Sequence, residues 1–437
     1  MWNSAPPTAE TKREFFEERV ISCSSSERGP AIRITDLACN AAHCLACASC
    51  HAFVGSLDLQ MELQSGAATR ATVLESMPSC RLPEMPGCPH QLNELLPCRQ
   101  GCGQVYCSEG CLQKHWSRGH RLLCTGALTD VNHPLVRFKT KAPSGTFLLV
   151  ADMLAELAAR LCAGHDDMLA AAEHFSVFCR EMWWDVKARK EEPAVQAKRR
   201  AEMKAELAES ASLFHEALRE VLTAAGHAEV AAAMEPTCTA DAFGALAGCL
   251  ELNQVAIVVD SPLRDYARQL AAQERGGEGL LEAMAVVGPC ALRCQSARDE
   301  DEEAEGEWEE AGSSEEEGEE EGEEDDDDVG DHERLSKDPS AAEVDACSHL
   351  LFKPYDGAGL FTLICMANHS CLPNTEVRYI SPGTQAARAS LVALRDIAQG
   401  NEIYHSYIDE GLETQERKDA LLSYGFQCGC EKCMASS

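Results

Sequence analysis

The stretch GLFTLICMANHSCLPNTEV, Gly359–Val377, decides the reading of the C-terminal half of the chain. An apolar, buried-looking run ends abruptly in Asn368-His369-Ser370-Cys371, and His, Ser, Pro and Asn all favour turns. Taken alone it is an ordinary reversal, but two further pieces follow it. DIAQGNEIYHSYID (Asp396–Asp409) has a strand pattern that ends at Tyr407, and YGFQCGCEKC (Tyr424–Cys433) closes with Cys428, Cys430 and Cys433 in a Cys-x-Cys-x2-Cys hook. Hooks of this kind deliver several thiolates from one tight turn, as structural zinc sites require.

A denser set of cysteines lies upstream. Cys44, Cys47 and Cys50 recur at three-residue spacing, and CRQGCGQVYCSEGCLQKHWSRGHRLLC supplies Cys98, Cys102, Cys107, Cys111, His120 and Cys124. The Cys107-x3-Cys111 and His120-x3-Cys124 pairs suit a helical turn, where i and i+4 share a face. Six ligands here and two from the 44–50 group make eight, enough for two tetrahedral zinc ions with no open coordination position. Closed sites imply positioning or binding and argue against a zinc hydrolase. Cys80, Cys88 and His90, between the two blocks, remain ambiguous as ligands.

With 437 residues the chain has material for two or three domains and a real core. No apolar run reaches the ~20 residues of a membrane span. The best candidate, FLLVADMLAELAARL, carries Asp152, Glu156 and Arg160 and reads as a soluble helix. The start, MWNSAPPTAETKREFFEERV, has no apolar signal core, so 24 cysteines in a reducing compartment favour metal ligation over disulfides. The net charge of −34 is concentrated in residues 299–328, which hold 21 Asp and Glu and no Lys or Arg. That segment cannot bury enough apolar surface to fold and reads as a disordered insert, either a solubilising linker or a lure for a basic partner. The remainder is mildly acidic, so no direct DNA binding is expected; phosphate contacts need clustered Lys and Arg.

Near the N-terminus, TKREFFEERVISC patterns as a helix and SSSERGP as a turn. Residues 145–290 alternate Ala/Leu-rich stretches of helical period with polar breaks. Trp183 and Trp184 sit on an amphipathic piece among basic residues, which read as a solvated helix face more readily than as a nuclear-import signal. Cys162, Cys179, Cys249 and Cys365 lie singly in apolar sequence and read as small buried hydrophobes. GALAGCLELNQVAIVVDSPL reads as a helix ending near Asn253 and then a short buried strand, AIVV.

GLFTLICMANHSCLPN, DIAQGNEIYHSYID and YGFQCGCEKC resemble the C-terminal SET and post-SET elements of SET-and-MYND protein-lysine methyltransferases. QVYCSEGC followed by His-x3-Cys resembles the MYND finger of that family. GALAGCLELNQVAIVVDSPLRDY and Trp183-Trp184-Asp185 are most similar to the plant trithorax-related SET proteins and the divergent animal SET-and-MYND branch. The resemblance implies an α+β fold: a SET-domain β-fold with a pseudoknot, an inserted MYND zinc finger, a helical middle region and a post-SET zinc site. Residues 1–38 would be a short N-terminal SET segment in which Arg28-Gly29-Pro30 stands for the usual Gly-x-Gly turn. Residues 39–124 would be the finger, 125–298 the helical region and SET insert, and 299–338 the acidic insert. Residues 339–412 would be the C-terminal SET core and 413–437 the post-SET segment.

By position the resemblance makes Tyr407 the catalytic tyrosine and gives Asn368, His369, Phe426 and Asn253 contacts to S-adenosylmethionine. It implies three structural zinc sites, formed by Cys47, Cys50, Cys107 and Cys111; by Cys98, Cys102, His120 and Cys124; and by Cys371, Cys428, Cys430 and Cys433. Cys47 and Cys50 are preferred to Cys44 because the following HAFVGSL looks like a strand leaving the hook. Asn401 replaces the first Glu of the usual Gly-Glu-Glu-Ile, a mild surface change. The implied substrate is a protein with a basic lysine-containing segment, histone H3 first, with a possible peptide partner at the finger, no membrane, and a place in the nucleus and/or cytoplasm. The alternative is a non-catalytic adaptor that recruits partners in transcription regulation.

Overall fold

A computed structural model describes residues 33–38, 44–64, 68–75, 81–85, 88–142, 144–164, 178–272, 352–380 and 388–435. The helix and turn read into residues 11–30, the disorder expected of 299–328, and Cys80 lie outside these residues. The strands, in chain order, are β1 Arg33–Ala38, β2 Leu96–Pro97, β3 Val105–Tyr106, β4 Val255–Val259 and β5 Tyr355–Phe361. They continue with β6 Asn368–His369, β7 Thr375–Ile380, β8 Arg388–Ala393 and β9 Tyr404–His405.

β5 is the centre of a three-stranded sheet ordered β1-β5-β4, antiparallel on both sides. Leu37 faces Ala358 in the register of β1, and Ile257 faces Gly357 in that of β4. The N-terminal segment therefore supplies a strand directly beside the stretch that leads into Asn368 and His369. A Cβ on Gly359 would stand 2.9 Å from Ile257 Cδ1 and 3.0 Å from the Phe361 ring, so the bare glycine lets these two side chains close over the sheet. The short buried strand expected at AIVV proves to be the sheet's edge. Ile257 and Val259 face the core while Ala256 and Val258 face outward, with Val258 47% exposed. An apolar run of this length reads the same from sequence whether one face or both are covered.

The helical middle is built from α1 Gly145–Cys162, α2 Trp183–Ala188, α3 Gln196–Ala224 and α4 Ala240–Asn253. Ser144 caps α1 by accepting from the Thr146 N–H, and Thr239 caps α4 by accepting from the Ala242 N–H. The apolar faces meet around Phe147, Trp183, Phe214 and Phe243, whose rings lie 5.0–6.1 Å apart in edge or tilted contact. α4 can approach α2 because it presents glycine: a Cβ on Gly248 would fall 2.0 Å from the Glu181 carbonyl oxygen, and one on Gly244 2.5 Å from the Trp184 ring. The basic residues here behave as a helix face, Lys187 pairing with Glu251, Arg199 with Glu191 and Arg200 with Asp185. Among the described residues no helix is long and apolar enough to cross a membrane.

The last third is threaded. β6 pairs in parallel with β9, Asn368 opposite Tyr404 and His369 opposite His405. The other limb of the same turn grips β9 as well: the Tyr404 N–H donates to Asn374 Oδ1 at 2.8 Å, and Thr375 Oγ1 donates to the Tyr404 carbonyl at 2.9 Å. β9 thus runs between the two limbs of the 368–375 turn, the crossing that a pseudoknot requires and one that is rare among folds. Asn374 is what makes the passage tight, since its Nδ2 also donates to the Glu402 carbonyl at 2.8 Å.

Candidate active site and metal clusters

Three quartets of ligand-type side chains come together: Cys47, Cys50, Cys107 and Cys111; Cys98, Cys102, His120 and Cys124; Cys371, Cys428, Cys430 and Cys433. In each, the donor atoms all lie within 4.8 Å of one another. The sulfur separations are 3.5 Å for Cys50–Cys107, 3.8 Å for Cys98–Cys124 and 3.6 Å for Cys371–Cys433. A tetrahedral zinc with Zn–S of about 2.3 Å needs sulfur edges of about 3.8 Å, so each donor set fits that ion in both number and spacing.

Local structure explains the placement. Ser108 caps the helix Glu109–His115, holding Cys111 in the first turn beside Cys107. His120 ends a π-helical turn, Trp116–His120, that lies close to α1 because residue 119 is glycine; a Cβ there would be 3.0 Å from the Glu156 amide nitrogen. Arg118 and Glu156 bond across the same junction at 2.6 Å. The first two quartets interleave, each taking alternate pairs along the sequence. Cys44 stays outside both, buried with its thiol pushed up to about 12 by burial. His90 faces Asp58 at 3.6 Å, and neither it nor Cys88 belongs to a quartet.

Tyr407 lies where the threaded segment meets the third quartet. Its hydroxyl donates to the Ala367 carbonyl at 2.7 Å and its backbone N–H to His369 Nδ1 at 3.0 Å. The rings of His405, Tyr424 and His369 stand 4.9, 5.1 and 5.4 Å from it. Burial raises the Tyr407 phenol above its usual range and does the same to Tyr424, so both remain protonated at neutral pH.

Two clefts share Tyr407, Tyr424 and Leu252 as a common wall. One, of about 1190 Å³, is lined by Asn368, His369, Glu402, Phe426, Cys428 and Cys430. The other, of about 740 Å³, runs along β4 and β7 past Val255, Val258, Thr375, Val377 and Tyr379. Three of the four residues that the sequence assigned to a cofactor, Asn368, His369 and Phe426, thus gather in the larger cleft. Asn368 is anchored there by donating Nδ2 to Glu402 Oε1 at 2.5 Å, and Phe426 is 39% exposed.

Asn253 lines the smaller cleft instead. Its amide is fully engaged inside the protein, with Oδ1 accepting from the Cys179 N–H at 3.2 Å and Nδ2 donating to the carbonyls of Cys179 (2.9 Å) and Cys249 (2.7 Å). It braces the 179–181 segment, which lines the larger cleft. Of the four lone cysteines read as buried hydrophobes, Cys249 and Cys365 are buried, whereas Cys162 is half-buried and so is Cys179, in the cleft wall. Tyr424 and Arg189 were missed from sequence. Arg189 donates to the Ser423 carbonyl at 2.7 Å and pairs with Glu181, and it packs against Gly425, whose φ of +74° turns the chain from Tyr424 to Phe426. The Tyr-Gly-Phe wording, two rings around a left-handed glycine, was the available signal.

Residues 253–408, which carry β4, β5 and the threaded turn, match the family model described as the SET domain. The chain is 25% identical to a histone-lysine N-methyltransferase, ATXR2 of Arabidopsis thaliana, over 91% of its own length and 82% of the relative's. Shorter matches join it to the N-lysine methyltransferase SMYD2-B of Danio rerio, 39% identical over 18% of each chain, and to SMYD2 of Homo sapiens, 36% identical over 21% of this chain and 19% of that one. The match spans about a fifth of the length of these animal relatives.

Proposed function

We propose that the chain is an S-adenosylmethionine-dependent protein-lysine N-methyltransferase. The observation that carries the reading is the pair of clefts meeting at Tyr407, Tyr424 and Leu252, which gives a cofactor and a peptide separate seats with one contact between them. The larger cleft suits the cofactor. The faces of Tyr424 and Phe426 suit a sulfonium cation and a purine ring, and Asn368 with Glu402 supplies a fixed polar edge. When bound, the cofactor supplies an electrophilic methyl group.

The protein's share is to seat and prepare the amine. The smaller cleft follows the open edge of β4, where an extended peptide can add main-chain hydrogen bonds. Asp260, Glu376 and Glu410 line it against one basic residue, Arg378, which pairs with Glu376, and the acidic excess favours basic residues around the target lysine. Between the clefts the ammonium loses water against aromatic walls, and that favours its neutral form. The Tyr407 hydroxyl, fixed on Ala367, keeps its oxygen lone pairs to accept from the amine. Because its phenol stays protonated, Tyr407 aligns the nucleophile and does not act as the base. The amine proton leaves toward solvent.

In this reading the three quartets hold structural zinc, and residues 39–124 are a MYND-type finger able to take a peptide partner. The substrate is a lysine in a basic protein segment, histone H3 being the first to test, with a role in chromatin and a place in the nucleus and/or cytoplasm. Labelled S-adenosylmethionine incubated with histones should mark lysine, and Tyr407→Phe should remove most of that signal. Equal background from the wild type and the variant would refute the assignment.

A further inference from the structure

Both ring nitrogens of His369 are already taken. Nδ1 accepts from the Tyr407 N–H at 3.0 Å, while Nε2 lies 3.3 Å from Sγ of Cys371, a member of the third quartet. A backbone N–H can only donate, so Nδ1 carries no proton; the ring's single proton is on Nε2 and points at sulfur. The imidazole is a bridge with one end on the quartet and the other on the residue that faces both clefts. His369 was expected to contact the cofactor, yet its ring has no nitrogen left for one.

We propose that His369 is a positioning residue that transmits the metal-loaded state of the third quartet to Tyr407. The inference rests on the methyltransferase reading above. Tyr407 is held at two points, its hydroxyl on Ala367 and its amide on His369, and both partners lie within four residues of Cys371. A metal-bound thiolate is fixed in place and accepts N–H bonds well, and partners of this kind orient the groups around a metal. With the quartet loaded, the imidazole is pinned and the Tyr407 amide has a fixed acceptor. With it empty, Cys371 is free to move and the ring loses its anchor. The small β6–β9 bridge pairs only residues 368–369 with 404–405, so it does not itself hold residue 407.

The test compares full-length, zinc-loaded protein as wild type, His369→Phe, His369→Gln, Cys433→Ser and the double variant His369→Phe/Cys433→Ser. The readouts are amide hydrogen exchange at residues 404–408 and zinc content. Losing one acceptor should speed exchange at Tyr407 about tenfold in His369→Phe. Zinc content should stay at the wild-type value. Cys433→Ser should speed the same amide in the wild-type background and add nothing to His369→Phe. His369→Gln, which keeps one donor and one acceptor, should restore slow exchange.

Unchanged exchange in His369→Phe or additive effects in the double variant would each overturn the proposal. If His369→Phe does not fold, Cys433→Ser decides alone, and no change at Tyr407 overturns it. Exchange and zinc content are read without turnover, so a chain that transfers no methyl group would sink the enzyme reading while leaving these measurements to judge the bridge.

Discussion

The ligand clusters of the finger and the cluster beside Tyr407 each gather four donor atoms within 4.8 Å of one another, yet they sit in very different surroundings. In the finger, the two quartets interleave and tie together residues 47–124, and their neighbours are packing residues such as Leu45, Val105 and Tyr106. The third quartet takes Cys371 from the turn that also bears Asn368 and His369, while Cys428 and Cys430 line the larger cleft. How far a structural metal can reach into function is therefore set by what else its ligand loops carry. In the finger the loops carry core contacts, and at the C-terminus they carry the site.

The sharpest break of that comparison is at its functional end. Tyr407→Phe should lower methyl transfer by about 10²–10³-fold, the range seen when a positioned donor or acceptor is lost from an active site. Zinc content and thermal midpoint should be unchanged, and a variant of wild-type activity would remove Tyr407 from the site. Next come paired ligand losses. Cys107→Ser and Cys433→Ser should each release one zinc and lower the thermal midpoint, but only Cys433→Ser should weaken S-adenosylmethionine binding, by roughly 10–100-fold. Equal effects on affinity would erase the distinction between the two regions.

A smaller effect belongs to the helical lobe, which supplies no ligand to any cluster. Gly248→Ala would drive a methyl group into the Glu181 carbonyl and should cost about 1–3 kcal/mol in denaturant unfolding. The smallest concerns acid. Burial lowers the His405 pKa below its usual 6.5, so below that pH the unfolded chain binds a proton that the folded chain refuses. Stability should fall as pH drops from 7 toward 5, and His405→Asn should flatten that slope in urea titrations. An unchanged slope would place the acid sensitivity elsewhere, in metal release for example.

Legibility followed the range over which each signal acts. The hooks were readable because Cys-x2-Cys, Cys-x3-Cys and His-x3-Cys are local and one turn brings each pair together, whereas the joining of hooks into quartets, with Cys371 far from Cys428, came from the family resemblance. The long helices were readable for the same reason, their caps and apolar spacing being contained within them. The pairing of β1 with β5 was not, since Arg33 meets Phe361 across most of the chain and six residues of modest pattern cannot name their partner. The roles of Asn253 and His369 were hidden in another way. Residue type says that each will make hydrogen bonds, but not whether the partner is a cofactor or the Cys179 backbone, the Tyr407 amide and a cysteine sulfur. The common wall of Tyr407 and Tyr424 needed the fold itself, because it joins a threaded strand to the hinge that Arg189 holds.

The threading has a consequence for how the molecule comes apart. Cys371 and Cys433 are 62 positions apart, and the segment gripped between the limbs of the 368–375 turn lies inside the loop that they close. A metal at that quartet acts as a clasp on the knot: β9 can slip out only after the clasp opens. Chelation should then accelerate unfolding more than it shifts the equilibrium, so the C-terminal third would owe its persistence to a slow exit as much as to its contacts.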